Sequence, residues 1–211
     1  MSRGEAAPAV EDARPPDREG VAAVIADGFH DIPAMRFAFA GLDANRRRRR
    51  LERVMRSTVR VGIRRGRVRI VRAAGRVAAA AVAYPPEAFP LGLGDWIAGG
   101  LGALTVGPQS ALRLARYEQR LKHLHLAEPH YYLYLLAVLP AHRGRGLGAA
   151  LVDDLSRAAD ERALACYLET DRLENVGFYE ARGYRVVEEI AVAEAGGAVL
   201  HRMVRPPAGA R

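Results

Sequence analysis

The sequence predicts an α/β fold in which a single domain is built around one central sheet. Residues 131–139 are almost continuously apolar or aromatic, which is typical of a strand covered on both faces. Residues 147–161 then carry the apolar stripe of a helix that packs on a sheet. Two further strand-like runs, 67–73 and 76–84, are joined at Ala74-Gly75 and predict a hairpin at the centre of the sheet.

The length and composition of the chain agree with one domain. The 211 residues are 50% hydrophobic, enough for one sizeable core, and we expect the domain to cover residues 8–205. Residues 1–7 are expected to be a disordered start and residues 206–211 a flexible tail. No apolar run reaches the roughly 18 residues that cross a bilayer, and the polar, proline-rich start is unlike a signal peptide. We therefore expect a cytoplasmic protein without a membrane partner.

The cysteine count and the charge exclude several classes of function. Cys166 is the single cysteine, so we expect no internal disulfide, no zinc set and no metal site. The formal net charge is +8, but Lys122 is the only lysine and the arginines are spread through the chain. The one cluster, Arg46 to Arg50, is interpreted as the solvated face of a helix. Aromatic interleaving and DNA-binding motifs are absent from the sequence, so we expect no nucleic-acid partner.

The first half of the chain predicts a short strand and two helices. Pro8 to Arg14 is predicted as the strand, and Asp17 as the cap of the first helix. The segment FHDIPAMRF follows, in which Pro33 is expected to break any helix. The second helix is predicted over residues 43–63.

A long insert precedes the central strand. Leu91 to Gly107 is glycine-rich and apolar and contains the only tryptophan, Trp96. It is interpreted either as the lining of a hydrophobic acceptor site or as plain packing. A helix over residues 110–126 then returns the chain to the central strand.

The last part of the chain predicts three strands and a short helix. The strands are expected at about 164–169, 184–192 and 198–204. The short helix holds Asn175 and Tyr179 four residues apart, hence on one face, and Gly183 ends it.

The turn after the central strand, Arg143-Gly144-Arg145-Gly146-Leu147-Gly148, is interpreted as an anion-binding site. Its glycines permit a tight turn that exposes successive backbone N–H groups at the start of a helix. Unpaired N–H groups and the helix dipole favour a phosphate there, and the two arginines can add charge-assisted hydrogen bonds. The spacing differs from the P-loop and from the dinucleotide-binding fingerprint. A plain strand-to-helix connection is the alternative for the turn taken alone.

Two blocks carry a resemblance to a known family. Arg143-x-x-Gly146-x-Gly148 resembles the pyrophosphate-binding signature of the GNAT superfamily of acyl-CoA transferases, in its usual setting after an apolar strand ending in Val-x-Pro. Leu168-Glu169-Thr170, followed by Asn175 and the run Phe178 to Tyr184, resembles the later strand, turn and Phe-Tyr-x-x-x-Gly-Phe/Tyr ending of that family. Within the superfamily the chain is most similar to the puromycin acetyltransferase-like group, through the Leu-Glu-Thr block, the segment Phe29 to Pro33 and the long insert.

The resemblance implies further details of the fold and of the cofactor. It implies a single GNAT-type domain with a mixed, mostly antiparallel sheet of six to seven strands, helices on both faces and a splayed central pair of parallel strands. It also implies that acetyl-CoA is the cofactor. The residues that match its binding positions are Arg143, Gly144, Arg145, Gly146, Leu147 and Gly148 for the pyrophosphate and Asn175 for the pantetheine arm.

The resemblance also implies where the reaction takes place. Backbone groups of Leu136, Ala137 and Val138 would lie in the splay, pair with pantetheine like an extra strand, and stabilise the developing oxyanion. Tyr179 matches the general acid of the family, a phenol that protonates the departing thiolate. A core tyrosine is the structural alternative for Tyr179, and a helix cap is the alternative for Asn175.

The general base stays open at this point. Many relatives carry a glutamate on the central strand where this chain has Tyr132, and no carboxylate lies between Tyr131 and Leu139. Asp31, Glu128, His130 or a water chain could take the proton, and His130 has a suitable intrinsic pKa.

These features predict an acetyl-CoA-dependent N-acetyltransferase that acts on the primary amine of a small molecule by direct attack in a ternary complex. The alternatives are a protein or peptide amine as the acceptor, and a non-catalytic acyl-CoA-binding sensor or interaction module. Strand exchange and edge pairing of the last strands are two routes to a homodimer. The sequence does not identify the acceptor or the oligomeric state.

Overall fold

The computed structural model describes residues 8–92, 94–95, 106–193 and 197–209. Seven strands and six α-helices lie within these residues. The strands are β1 (Val10–Asp12), β2 (Arg67–Ala73), β3 (Arg76–Tyr84), β4 (His130–Val138), β5 (Ala165–Thr170), β6 (Arg185–Val192) and β7 (Ala198–Arg205). The helices are α1 (Arg18–Phe29), α2 (Pro33–Ala38), α3 (Ala44–Arg65), α4 (Pro108–Lys122), α5 (Leu147–Asp160) and α6 (Leu173–Glu180).

The strands form one open sheet in the order β1-β2-β3-β4-β5-β7-β6. Every neighbouring pair is antiparallel except β4 and β5, which are parallel. The predicted mixed, mostly antiparallel sheet with one central parallel pair is therefore confirmed. The predicted hairpin is β2–β3, and it adjoins the central strand β4.

Strand β4 has a bulge that changes which side chains face which layer. Val82 of β3 lies opposite Leu135, and Ala83 lies opposite Leu133, so Tyr134 has no partner of its own in the register. As a result Tyr134 and Leu135 both pack on the same face of the sheet. A bulge re-aims side chains in this way and is frequent beside functional sites.

Two apolar layers cover the sheet. On one face α1, α3 and α4 pack over β3 and β4, with Ile25, Leu51 and Val59 fully buried. On the other face α5 packs through Leu151 and Leu155, which lie on the stripe predicted from the sequence. Within the described residues, none of the helices is both long and apolar enough to cross a membrane.

Two local predictions in the first half differ from the structure. Pro33 begins α2 instead of breaking a helix, because proline is tolerated at the first helical position, and Ile32 before it is extended. Asp17 precedes α1 but makes no side-chain cap bond. Its carboxylate instead accepts from the Arg14 N–H at 2.9 Å and from Arg72 at 2.7 Å, so the preceding turn uses its oxygens.

Candidate active site

The parallel strands β4 and β5 diverge soon after they meet. Only three residues of each strand pair, and the last pair is Tyr132 with Tyr167. Beyond it, the edge of Leu136, Ala137 and Val138 that faces β5 has no strand partner among the described residues. The backbone groups on this edge therefore make no ladder hydrogen bonds to another described strand.

A cavity of about 1140 Å³ opens at this divergence. On one side it is lined by the end of β4, by the turn that follows it and by α6. On the other side it is lined by residues of α1, α2, α3 and α4, together with β4 and the end of β5. The site therefore has two parts, one at the glycine-rich turn and one beneath the helices of the first half.

The glycine-rich turn presents free amides to the cavity. Gly144 and Gly146 have φ angles of +74° and +76°, a conformation that favours glycine. The first intrahelical bond of α5 runs from the Ala150 N–H to the Gly146 carbonyl at 2.9 Å. The N–H groups of Leu147, Gly148 and Ala149 therefore have no helical partner, and all three residues line the cavity.

The glycine-rich turn borders open space. A Cβ on Gly144 or Gly146 would meet nothing within 4 Å. At Gly148 a Cβ would lie 3.4 Å from Val138 Cγ2 and 3.5 Å from the Phe178 ring, so the helix start lies close to the strand end and to α6. Arg143 lines the cavity, whereas Arg145 is exposed and outside its lining, so only one of the two predicted arginines faces this space.

Helix α6 places two predicted residues at the same cavity. Asn175 and Tyr179 both line it, and Asn175 Nδ2 donates to Thr170 Oγ1 at 3.3 Å. Tyr179 is 7% exposed and makes an edge contact with Tyr184 at a centroid distance of 5.6 Å. Burial raises the pKa of Tyr179 above its ordinary value, so the phenol keeps its proton at neutral pH.

The three side chains considered as bases lie outside the cavity lining. Hydrogen bonds from Arg36 hold the pKa of Asp31 below its ordinary value, and Arg47 also pairs with this carboxylate at 2.9 Å. Glu128 is exposed, and burial lowers the pKa of His130. The structure thus gives none of them contact with this space.

Sequence reasoning missed Glu169 as a titratable group of the site. It lies on β5 two residues after Tyr167, hence on the same face, and it lines the cavity. Its Oε1 atom is buried and accepts no hydrogen bond from any described residue. Burial raises the pKa of Glu169 to about 7, against the opposing effect of the Tyr167 and Tyr132 hydroxyls. The signal in the sequence was an acidic residue inside an otherwise apolar strand.

Two further carboxylates line the part of the cavity beneath the helices. Glu118 of α4 accepts a 2.7 Å hydrogen bond from the Tyr134 hydroxyl, and burial raises its pKa. Asp171 follows β5, and its Oδ2 atom is buried without a hydrogen bond from any described residue. Burial raises its pKa as well.

The helix predicted over 110–126 is α4, whose bounds are Pro108–Lys122, but Glu118 had not been recognised on it.

The insert and the arginine run complete the sequence predictions. The segment around Trp96 that was expected to line an acceptor site lies mostly outside the described residues, which omit 93 and 96–105. The interpretation of Arg46 to Arg50 as a solvated face needs correction at two positions. Arg47 is buried and donates to the Leu42 carbonyl at 3.3 Å as well as to Asp31, and Arg50 donates to the Val106 carbonyl at 2.6 Å.

Solved structures share this fold. A Corynebacterium glutamicum protein described as a histone acetyltransferase and related acetyltransferase matches 97% of this chain and 98% of its own, at 20% identity and a TM-score of 0.70. An N-acetyltransferase from Staphylococcus aureus matches 93% and 99%, at 17% identity and a TM-score of 0.59. A Drosophila melanogaster polyamine N-acetyltransferase matches 94% and 99%, at 17% identity and a TM-score of 0.54.

The family comparison covers the strands and the turn that form the cavity. The sequence profile described as the acetyltransferase (GNAT) family matches residues 72–184, which include the glycine-rich turn, Glu169 and Tyr179. Acetyl-CoA is the acyl donor of acetyltransferases in this family, and the open amides of the turn suit its diphosphate. The chain therefore belongs to the GNAT acetyltransferase family and is an acyltransferase.

Proposed function

We propose that the protein transfers an acetyl group from acetyl-CoA to the primary amine of a small molecule, by direct attack in a ternary complex. The observation that carries the proposal is the single cavity that joins the amides of the glycine-rich turn to the carboxylates beneath the helices. Donor and acceptor can then meet at the gap between β4 and β5. The similarity of the Leu168-Glu169-Thr170 block to the puromycin acetyltransferase-like group supports a small acceptor.

The donor half of the site holds and aims the cofactor. The amides of Leu147, Gly148 and Ala149 and the guanidinium of Arg143 bind the diphosphate. Asn175 binds the pantetheine arm, which extends along the open edge of β4. A backbone N–H of the segment Leu136 to Val138 polarises the thioester carbonyl.

Two protons must move during the reaction. When bound, acetyl-CoA supplies an acetyl group on a thioester and a thiolate leaving group. The amine nitrogen bonds to the acetyl carbon as the carbon–sulfur bond breaks, so one proton leaves nitrogen and one reaches sulfur. Glu169 takes the first as general base, directly or through water, and Tyr179 gives the second as general acid.

The position and pKa of Glu169 support its role as the base. A carboxyl group with a pKa of about 7 is ionised in half of the molecules at neutral pH and yet remains a useful proton acceptor. Tyr132 stands at the strand position where relatives carry a glutamate. The Tyr132 hydroxyl and the Glu169 carboxyl interact, and each affects the pKa of the other. We propose that the base has moved to the neighbouring strand in this chain.

The acceptor is proposed to be a small molecule because helices cover that half of the cavity. The lining there includes Met35 of α2, Met55 of α3 and Leu121 of α4, all of them buried. An extended peptide needs an open groove, whereas this surface suits a compact molecule.

Release of free thiol from acetyl-CoA tests this proposal. The purified protein is assayed with small primary amines and with peptides that carry a free N-terminus or a lysine. We expect thiol release with small amines, and mass spectrometry should find one acetyl group on the amine. Release with peptides alone would show that the acceptor is a polypeptide, and no release with either class would refute the proposed reaction.

A further inference from the structure

The acceptor half of the cavity holds three carboxyl groups that form no close ion pair with a cation of the described residues. Elsewhere arginines pair closely with carboxylates, as in Arg69 with Asp154 at 2.8 Å. Within the described part of the chain, no ion pair shorter than 4 Å includes Glu118, Glu169 or Asp171. This contrasts with the basic chain as a whole, whose net charge is +8.

These carboxylates are placed where a ligand can reach them. All three line the cavity. One buried oxygen of each of two carboxyls, Oε1 of Glu169 and Oδ2 of Asp171, accepts no hydrogen bond from described residues. Desolvating a carboxylate without a partner costs free energy, and a bound cation offsets that cost.

Two of the carboxylates, Glu118 and Glu169, lie at separate positions along one wall of the cavity. Glu169 lies on β5 beside Tyr132, whereas Glu118 lies on α4 and is held by the Tyr134 hydroxyl at 2.7 Å. The rings of Tyr132 and Tyr134 stand between them, with centroids 5.6 Å apart. Tyr132 and Tyr134 are two residues apart on β4, so both positions are on the same face of the sheet.

The cavity wall between Glu118 and Glu169 suits a ligand that carries a positive charge on an apolar chain. Tyr117, Tyr132 and Tyr134 all line the cavity, and aromatic faces attract ammonium groups. Met35 and Leu121 supply apolar surface for methylene groups. Lys122, one turn after Glu118, and Arg172, next to Asp171, are cations of the lining. Neither forms an ion pair within 4 Å with Glu118, Glu169 or Asp171, and Arg172 pairs instead with Glu174 at 3.9 Å.

We propose that the acceptor is a compact diamine, in which one amine reacts beside Glu169 while the other stays protonated and pairs with Glu118. This inference rests on the proposed acetyltransferase activity and names its substrate class. Glu118 is then a specificity-determining residue. The tyrosine rings and the apolar wall border the space between the two amines.

A substrate series tests the inference. Linear diamines of four to six carbons are compared with monoamines and with amino alcohols of equal length, which carry a neutral hydroxyl in place of the second amine. We expect kcat/KM for the best diamine to exceed that of both analogues by about tenfold or more, mainly through a lower KM. Equal kcat/KM values across the three series would overturn the inference.

The variant Glu118→Gln tests whether Glu118 causes the preference for diamines. It keeps an oxygen for the Tyr134 hydroxyl but removes the charge, so the ratio of diamine to monoamine kcat/KM should fall to about 1, chiefly through a higher KM for the diamine. Glu128→Gln, at an exposed position outside the cavity lining, is the matched control and should keep the ratio. A ratio unchanged in Glu118→Gln would overturn the role of Glu118.

The outcomes separate this inference from the proposed function. Thiol release with monoamines as fast as with diamines refutes the diamine class and keeps the acetyltransferase. Absence of thiol release with every amine refutes the acetyltransferase itself. If Glu118→Gln does not fold, the comparison of diamines with amino alcohols on the unaltered protein still decides the question.

Discussion

Tyr132 and Tyr167 lie directly opposite each other on the parallel strands β4 and β5, and they form the last pair before the strands diverge. Their ring centroids are 5.9 Å apart and both side chains are buried. Past this pair β4 and β5 separate. The next residue of β5 on the same face, Glu169, therefore lies at the gap and not beside a paired residue of β4. The position of the proposed base is thus a consequence of where the pairing stops.

The pH dependence of the reaction tests Glu169. Burial raises its pKa to about 7, and only the ionised carboxylate accepts a proton. With an amine whose own ionisation is corrected for, kcat/KM should fall about tenfold per pH unit below pH 7. Glu169→Gln should lose about 100-fold or more in kcat/KM and should lack this limb. If kcat/KM of the variant still falls below pH 7, the titrating group is a residue other than Glu169.

The difference in stability between the wild type and Glu169→Gln should also depend on pH. In the unfolded chain Glu169 has its ordinary pKa of 4.5, and in the folded protein its pKa is about 7. Stability is therefore lost as the pH rises from about 4.5 to 7, because the unfolded state ionises first. Glu169→Gln should match the wild type near pH 4 and become increasingly more stable up to pH 7, as measured by urea denaturation. A constant difference across this range would contradict the raised pKa.

Tyr179 is expected to act on the chemical step alone. Tyr179→Phe keeps the ring that packs against Tyr184 but removes the proton donor. We expect kcat to fall by about 10-fold to 1,000-fold with acetyl-CoA affinity unchanged, as measured by steady-state kinetics and calorimetry. Unchanged kcat would leave Tyr179 as a core residue only.

The amides of the glycine-rich turn are tested by a charge. Gly146→Asp puts a carboxylate beside the proposed diphosphate site and should abolish acetyl-CoA binding in isothermal titration. Gly41 is a matched control, because it has a similar φ of +86°, open space around its Cβ position and no place in the cavity lining. Gly41→Asp should bind acetyl-CoA normally. Normal binding by Gly146→Asp would show that the donor site is elsewhere.

Arg47 is expected to stabilise the fold. Its guanidinium donates to the carbonyls of His30 and Leu42 and to Asp31, and it is buried. Arg47→Ala removes the guanidinium from the two carbonyls, while Arg36 still pairs with Asp31, and it should lower the free energy of unfolding by about 1 to 3 kcal/mol. Arg49→Ala, on an exposed position of the same helix, should change it by less than about 0.5 kcal/mol. Equal effects in denaturant titrations would refute the distinction.

The strand, turn and helix that form the proposed donor half could be predicted from the sequence because they are local. A buried strand, a glycine turn and a helix start follow one another between residues 130 and 151, so their spacing alone implies a row of free amides. The hairpin and the helices with a clear apolar stripe, α3 and α5, were predicted for the same reason. Errors arose where one residue has several local uses, as at Pro33 and Asp17.

The acceptor half was decided by the tertiary structure. Glu118 and Glu169 belong to a helix and a strand far apart in the chain, and only the packing of α4 over the sheet brings both to one cavity. Their raised pKa values come from desolvation, which depends on the surrounding atoms and not on neighbouring letters of the sequence. The burial of Arg47 within an arginine run has the same origin, because two of its acceptors, His30 and Asp31, belong to an earlier segment of the chain. The sequence by itself thus determined the family and the glycine-rich turn proposed to bind the donor, whereas long-range packing decided which carboxyl groups line the proposed acceptor half.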